Sequence, residues 1–361
     1  MKTVYVAMSG GVDSSVAAAL LKKQGYKVTG VFFKPWQPEA GLAFCNWRKD
    51  RQDAMAVAEV LGIPFKTWDF SKEYKNKVRD YMIESYRQGV TPNPDVMCNK
   101  EIKFGLFLKK AMKEGVDFIA TGHYIKIKNA KIKVQNNKSK FKIIYKLLKA
   151  KDNNKDQSYF LWTLTQEQLK HCLFPVGNYT KPEVRKLAKK LCLPTFDKKD
   201  SQGVCFIGQL DMKEFLKKYI KPKEGDIVLD ETGQIVGKHD GVAYYTIGQR
   251  HGLNISNGGG PYYISGRDLK KNLVFVTKDE KKLGEKEMII RDINWINKTN
   301  KDVAGIFIKA RYRTPAVSAQ VIHTQGPTLR VKTAKPIRAV TPGQSVVFYR
   351  RQEMLGGGII T

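Results

Sequence analysis

Seven residues, Ser9 to Ser15, constrain this chain more than any others. They read SGGVDSS, between a short apolar run, Thr3 to Met8 (TVYVAM), and a segment of helical composition, Ser14 to Gln24 (SSVAAALLKKQ), that stops at Gly25. An apolar strand that breaks into two glycines and restarts as a helix opens an α/β unit. Glycines let successive backbone N–H groups curl into an anion-binding nest, and the helix N-terminus adds partial positive charge. A phosphate or pyrophosphate suits such a turn. The string lacks the Gly-Lys-Ser/Thr ending of a Walker loop, and it is not the dinucleotide Gly-x-Gly-x-x-Gly. Asp13 is placed to help hold Mg2+ beside the phosphates. The competing reading is a plain glycine turn with Asp or Ser capping the helix.

The pattern continues downstream. Val28 to Phe33 and Pro64 to Phe70 read as strands, Asp50 to Leu61 as a helix closed by Gly62, and Phe118 to Thr121 as a short buried strand entering Gly122-His123. Strands alternating with helices of this length indicate a doubly wound parallel sheet with helices on both faces. The character then changes. Residues 121–160 carry eleven Lys against two Asp, and their polar–apolar alternation suggests a long basic hairpin. One more helix is expected over Asp211 to Tyr219. Beyond it, glycines and short β-like runs predict two small β-rich domains, the last a barrel. The expected division is 1–209, 210–280 and 281–361.

Charge and cysteine content narrow the function classes. The formal net charge is +30 with pI ≈ 9.8, and residues 303–361 hold nine Lys or Arg against one acid, Glu353. Such an excess points to a polyanionic partner; a lysine-rich solvated surface is the bland alternative. No run of eighteen apolar residues exists, which excludes a transmembrane helix, and the N-terminal apolar stretch is too short for a signal peptide. The expectation is a cytoplasmic protein without a membrane partner. The five cysteines, Cys45, Cys98, Cys172, Cys192 and Cys205, form no CxxC pair, so neither a disulfide framework nor a protein-built metal cluster is expected. Cys172 and Cys192 sit in apolar helical surroundings and read as core residues. Cys45 falls in an expected loop.

Two cysteines have richer settings. Thr91 to Phe104 reads TPNPDVMCNKEIKF, where two prolines hold the backbone extended or turned and present Asp95 and Cys98 three residues apart on a rigid loop. A carboxylate near a thiol can act as acid or base toward a bound substrate; an Asx-Pro turn before a helix explains the same spacing. Asp200 to Gly208, DSQGVCFIG, carries Cys205 among small and apolar residues, which alone suits a buried core thiol.

The Ser9–Ser15 string resembles the PP-loop of ATP pyrophosphatases, the adenine nucleotide alpha hydrolase-like fold. Taken with TPNPDVMCNKEIKF, ATGHY (Ala120 to Tyr124), KDQSYFL (Lys155 to Leu161), SQGVCFIG, YYTIGQRHGL (Tyr244 to Leu253), PYYISGRD, RYR (Arg311 to Arg313) and AVTPGQSVVFY (Ala339 to Tyr349), the whole chain is similar to the tRNA-specific 2-thiouridylases. That resemblance implies an N-terminal PP-loop domain and ATP-dependent 2-thiolation of the wobble uridine of tRNAs of the Lys, Glu and Gln type. The C2 oxygen would be adenylated, sulfur would arrive as a cysteine persulfide, and AMP and pyrophosphate would leave. It implies that Ala7, Met8, Ser9, Gly10, Gly11, Val12, Asp13, Ser14, Phe33 and Gly122 bind ATP with Mg2+. Asn93, Pro94 and Asp95 would hold the target base, with Asp95 as acid/base. Cys205 would carry the persulfide and Cys98 would be its partner nucleophile, the two forming a transient disulfide. His123, Lys155, Asp156, Gln157, Arg311, Tyr312 and Gln344 would contact tRNA, and a cysteine desulfurase or sulfur-relay protein would supply sulfur. Two departures stand out. Phe33 replaces the family's usual Met, so only a backbone contact to adenine transfers, and the basic hairpin is longer than usual. Another PP-loop tRNA-modifying enzyme, such as a lysidine or 4-thiouridine synthase, and a non-enzymatic basic RNA-binding module are the rival readings.

Overall fold

The computed structural model describes residues 1–37, 47–134, 137–199, 212–255, 259–297 and 305–361, with the side chains of 132–140 left aside. Cys45 and the whole Cys205 string lie outside the described residues. Four strands open the fold: β1 (Thr3–Ala7), β2 (Lys27–Lys34), β3 (Phe65–Asp69) and β4 (Phe118–Ala120). A long hairpin follows, β5 (Ile125–Val134) and β6 (Asn137–Lys149), and then the short β7 (Cys172–Leu173). The first sheet has the order β3-β2-β1-β4-β7, and every pair in it is parallel. The inner strands β1 and β2 are near-continuous buried runs because both faces are covered, whereas the edge strand β3 alternates with polar residues. Along β1, Val4 and Val6 join one core with the helices α1 (Val12–Lys23) and Lys181–Lys190, while Tyr5 points to the opposite core.

The central region forms a four-stranded sheet of β8 (Gly225–Leu229), β9 (Ile235–His239), β10 (Tyr263–Asp268) and β11 (Leu273–Thr277), in the order β10-β11-β8-β9. The last region contributes β12 (Gly284–Trp295), β13 (Ile306–Lys309), β14 (Val317–His323), β15 (Leu329–Arg338), β16 (Ser345–Arg350) and β17 (Glu353–Ile360). These run β12-β15-β14-β13-β16-β17, and β17 pairs back to β12, closing a barrel. Closure leaves the six strands no exposed edge. The barrel core is Ile290, Ile306, Ile308, Val331, Val346, Phe348 and their neighbours.

The α/β domain followed by two β-rich regions agrees with the reading of the sequence. The hairpin departs from it in one respect: Leu147 and Leu148 of β6 pair with Met354 and Glu353 of β17. A segment expected to belong wholly to 1–209 thus adds two strands to the sheet of the C-terminal region. Cys192 is corrected as well. The Leu191-Cys192-Leu193 triplet reads as core, but the helix stops at Lys190 and Cys192 takes a left-handed φ of 52°. That turn sends Leu193 inward and leaves Cys192 exposed. Cys172 is buried as expected, and burial pushes its thiol pKa well up. No helix among the described residues is long and apolar enough to cross a membrane.

Candidate functional site

The Ser9–Ser14 turn lies at the carboxyl end of β1, in the middle of the parallel sheet, where ligands bind in open α/β folds. Gly10 has φ +75°, and a Cβ there would collide with the carbonyl of Asp50. Gly11 precedes α1 with no side-chain cap, so the turn's donors are not consumed by a capping oxygen. Instead Ser14 stiffens the loop: its Oγ accepts from Ser9 N at 3.2 Å and donates to Gly11 O at 3.0 Å. Gly122 packs directly on this loop, because a Cβ would sit 2.6 Å from Ser14 N. Phe33 packs its ring against Phe70 and Phe107 and remains partly exposed.

Asp13 is held on both sides. Lys181 donates to Oδ1 and Oδ2, each at 2.8 Å, and the Tyr124 hydroxyl donates to Oδ1 at 2.7 Å. Lys181 is 8% exposed and occupies the first position of the helix Lys181–Lys190. That helix starts on a capping box between Thr180 and Glu183 with Pro182 beside it, which fixes where Lys181 emerges. The carboxylate expected to meet Mg2+ therefore has an ammonium as its partner here. No group of three or more metal-ligating side chains occurs among the described residues. The TKPE string signals a helix start, but nothing in it announces a contact with residue 13.

The second cluster is helical rather than an extended loop. Asn93 caps it, its Oδ1 accepting from Val96 N at 3.2 Å, and Pro94 fills the first helical position, where a missing N–H costs nothing. A short α-turn, Pro94–Met97, runs into a π-helical segment, Cys98–Phe107. Such segments are rare and frequent at functional sites. Asp95 and Cys98, three residues apart, share one helix face. Burial raises the Asp95 pKa, and the charge of Lys103 partly opposes that rise. Cys98 is buried.

Adjacent residues link the two clusters. Tyr124 donates to Asp13, and the His123 ring lies 5.8 Å from that of Phe104 in the Cys98–Phe107 segment. Burial, reinforced by Lys103, depresses the His123 pKa well below its ordinary value, so the ring is neutral. Its Nδ1 lies 2.8 Å from Thr121 Oγ1. Lys103 and Lys181 are the two charged groups that sequence reasoning missed.

Of the residues expected to contact tRNA, Gln344 lies against the segment that leads into Asn93, and several others have structural partners elsewhere. Gln344 donates to Thr91 O and Pro92 O at 3.0 and 3.1 Å. Arg311 Nη2 donates to Ile247 O, Ala339 O and Thr341 Oγ1, tying the central region to the barrel. Asp156 is buried and accepts from Ala150 N and from Ser158. Gln157 exchanges hydrogen bonds with the Tyr124 backbone. Lys155 is half-buried in the same loop. Tyr312 stacks near Phe160, with centroids 4.5 Å apart. Two buried oxygens in the base cluster, Thr91 Oγ1 and Asn99 Oδ1, have no hydrogen-bond partner. Unmet groups of this kind ask for a ligand or water.

Comparison with known proteins covers the whole chain. Residues 2–209 match the family model described as tRNA methyl transferase HUP domain. Residues 213–278 match the tRNA methyl transferase PRC-barrel domain, and 285–360 the aminomethyltransferase beta-barrel domain. The chain is 44% identical to the tRNA-specific 2-thiouridylase MnmA of Chlamydia abortus, over 99% of this chain and 97% of that one. It is 45% identical to its namesake from Listeria monocytogenes and 46% to that from Listeria welshimeri, in each case over 99% of this chain and 94% of the other. The relatives that match from end to end are named for 2-thiolation, although the domain descriptions name other transfers.

Proposed function

This chain belongs to the tRNA-specific 2-thiouridylase family, and from that premise we propose how its own residues divide the work of a tRNA-uridine 2-sulfurtransferase. The observation that carries the reading is the bridge formed by His123 and Tyr124. One of these two adjacent residues touches the Ser9–Ser14 turn, and the other packs its ring on Phe104 of the segment that carries Cys98. A nucleotide on the Ser9–Ser14 turn and a base beside Asn93–Asp95 would then be within reach of each other.

In this reading ATP lies on the turn, with the backbone N–H groups of Gly10 to Ser14 at its phosphates and the Phe33 and Gly122 backbones beside it. The C2 oxygen of the target uridine attacks the α-phosphate, and pyrophosphate leaves. Lys181, held by Asp13, is a protein cation at that turn, and Mg2+ enters with the nucleotide phosphates. Asp95, with its pKa raised by burial, takes and returns the uridine proton; carboxylates so tuned are suited to acid–base work near neutral pH. Thr91 Oγ1 and Asn99 Oδ1 are placed to meet polar edges of the base. Sulfur arrives on Cys205 as a persulfide from a donor protein. The Cys98 thiolate attacks the inner persulfide sulfur, forming the Cys98–Cys205 disulfide and expelling hydrosulfide. Hydrosulfide adds at C2, AMP leaves, and an external thiol reduces the disulfide. Direct attack on C2 by the terminal persulfide sulfur is the other route to the same product.

The division 1–209, 210–280 and 281–361 then places the chemistry in the first segment and tRNA support in the others, in a cytoplasmic protein. The test is pyrophosphate release with substrate tRNA, ATP and a persulfide donor, followed by mass spectrometry of the wobble nucleoside. Release that depends on tRNA, with a 2-thiouridine product, is expected. An unchanged uridine, or a product bearing lysine or sulfur at C4, would refute the reading.

A further inference from the structure

The β5–β6 hairpin is the region of high charge density that the two clusters leave unused. From Ile125 to Lys149 the chain carries nine lysines and no acid. The root of the hairpin is at the site, since Tyr124, the residue before β5, donates to Asp13. The strands pair along their length, but only Leu147 and Leu148 pair onward to β17. From Lys146 to the turn, neither edge meets another strand among the described residues. At roughly 3.3 Å per residue, β5 carries the turn about 30 Å from its root.

Lysines on an edge strand are a common defence against pairing with another chain. That defence does not account for this hairpin. Lys128 lies directly opposite Lys146, a like-charge pair that weakens a ribbon already marginal as two strands. Glu353 compensates Lys146 at 2.9 Å, but it sits at the root. Farther out, Lys131 and Lys142 are exposed, and Ile143, 51% exposed, faces Lys131 across the ribbon. Phe141, two residues along on the same face, is 60% exposed. Edge protection has no use for an exposed ring. A polyanion that also offers flat faces uses both features, because phosphates take the lysines and a base or ribose takes the ring.

We propose that the distal half of this hairpin docks the substrate tRNA beyond its anticodon arm, with Lys131 at a phosphate and Phe141 and Ile143, on the same face, against a sugar–base surface. The proposal rests on tRNA as the substrate and adds which part of it is held. Lys131, Phe141 and Ile143 pair six to eight positions beyond Ile125, about 20–26 Å from the root, which sets them outside the target loop itself.

The test compares a full-length substrate tRNA with its isolated anticodon stem-loop, by binding titration over a salt series and by single-turnover thiolation. The variant Lys131→Gln should bind full-length tRNA a few-fold more weakly, with a log–log salt slope smaller by about 1. Phe141→Ala/Ile143→Ala should weaken it a few-fold at an unchanged slope. Both variants should bind and thiolate the stem-loop as wild type does. Equal losses on the two RNAs, or no loss on either, would overturn the proposal, as would intact tRNA binding with slower persulfide loading, which would assign the hairpin to an acidic protein donor. Wild-type thiolation of the stem-loop would stand in each of those cases, so the tRNA reading survives the hairpin's failure. A wild type that binds neither RNA would remove both.

Discussion

The phosphate turn and the base cluster are built in different ways. Everything that holds the turn comes from the first 200 residues: Gly122 against its backbone, Tyr124 and Lys181 on Asp13, and the Ser14 hydroxyl within. The base cluster borrows its support from the barrel. Thr91 N donates to Pro342 O at 2.9 Å, and Gln344 holds the next two carbonyls. Tyr159 OH, which also hydrogen-bonds the Asn93 side chain, donates to Ser345 O at 2.9 Å. On the proposed reading, the nucleotide turn takes its support from the parallel-sheet domain, whereas the Asn93–Cys98 segment takes hydrogen bonds from the barrel. An enzyme that works in this way would hold ATP independently of the barrel and would need the barrel to set its thiol and carboxylate.

Four substitutions probe that asymmetry. The largest effect is expected for Cys98→Ser, which leaves both supports intact and removes the nucleophile. Single-turnover thiolation should fall by at least about 10³-fold, while tRNA-dependent pyrophosphate release continues. If intact-mass analysis of this variant finds multiple turnovers at the wild-type rate, Cys98 has no covalent role. Asp95→Asn keeps the shape and the helix but loses the proton acceptor, and a loss of about 10²–10⁴-fold is expected. A wild-type rate for Asp95→Asn would make Asp95 a helix-start residue only.

Lys181→Met separates the two regions most directly. It should lower pyrophosphate release about 10²-fold, as removal of a charge-stabilising donor commonly does, and raise the KM for ATP, with tRNA affinity unchanged. Lys181→Arg should restore part of the loss. Gln344→Ala is its counterpart on the barrel side. Two hydrogen bonds of about 1 kcal/mol each are removed, so kcat/KM for tRNA should drop roughly thirtyfold while the KM for ATP stays put. A rise in the ATP KM of Gln344→Ala equal to that of Lys181→Met would abolish the distinction between an autonomous turn and a borrowed pocket.

How far the sequence foretells this arrangement follows the same division. The inner parallel strands are legible because burial on both faces makes them apolar runs, and the phosphate turn because its glycines and helix start are contiguous. Asp95 and Cys98 are legible as a pair, although Pro94 starts a helix there instead of holding an extended loop. The cations are hidden for a different reason. Lys181 is 168 residues from Asp13, and no local pattern marks a lysine that will end beside a particular carboxylate. Lys103 sits in a π-helical segment whose wider turn changes which residues share a face. The union of β6 with β17 joins residues 147 and 354, a pairing set by barrel closure and invisible in either strand alone. Cys192 misleads because one left-handed residue reverses the apolar triplet around it.

Lys103 supplies the smallest expected effect and the most specific one, because a single ammonium acts on two groups with opposite ordinary tendencies. Burial raises the Asp95 pKa and Lys103 lowers it, whereas burial and Lys103 both lower that of His123. Removing the charge by Lys103→Met should therefore raise both, so that each group takes up its proton at higher pH. For catalysis the working form of Asp95 as a base is the carboxylate. The acid limb of single-turnover thiolation should thus lie above the ordinary carboxylate value of about 4 and move to still higher pH in Lys103→Met. Stability carries the second signature. A histidine with a depressed folded pKa favours the folded state above its unfolded value of about 6.5, and loses that contribution as the pH falls below it. Lys103→Met should lessen the His123 part of this acid loss, seen as a shallower fall of Tm below about pH 6.5. Asp95 works in the other direction, since a raised carboxyl pKa favours the folded state at low pH and loses that contribution as the pH rises through it. A Lys103→Met enzyme whose kinetic limb and Tm profile both overlie those of wild type would show that His123 and Asp95 do not share a charged neighbour. The bridge between phosphate turn and base cluster would then rest on the contacts of Tyr124 with Asp13 and of His123 with Phe104 alone.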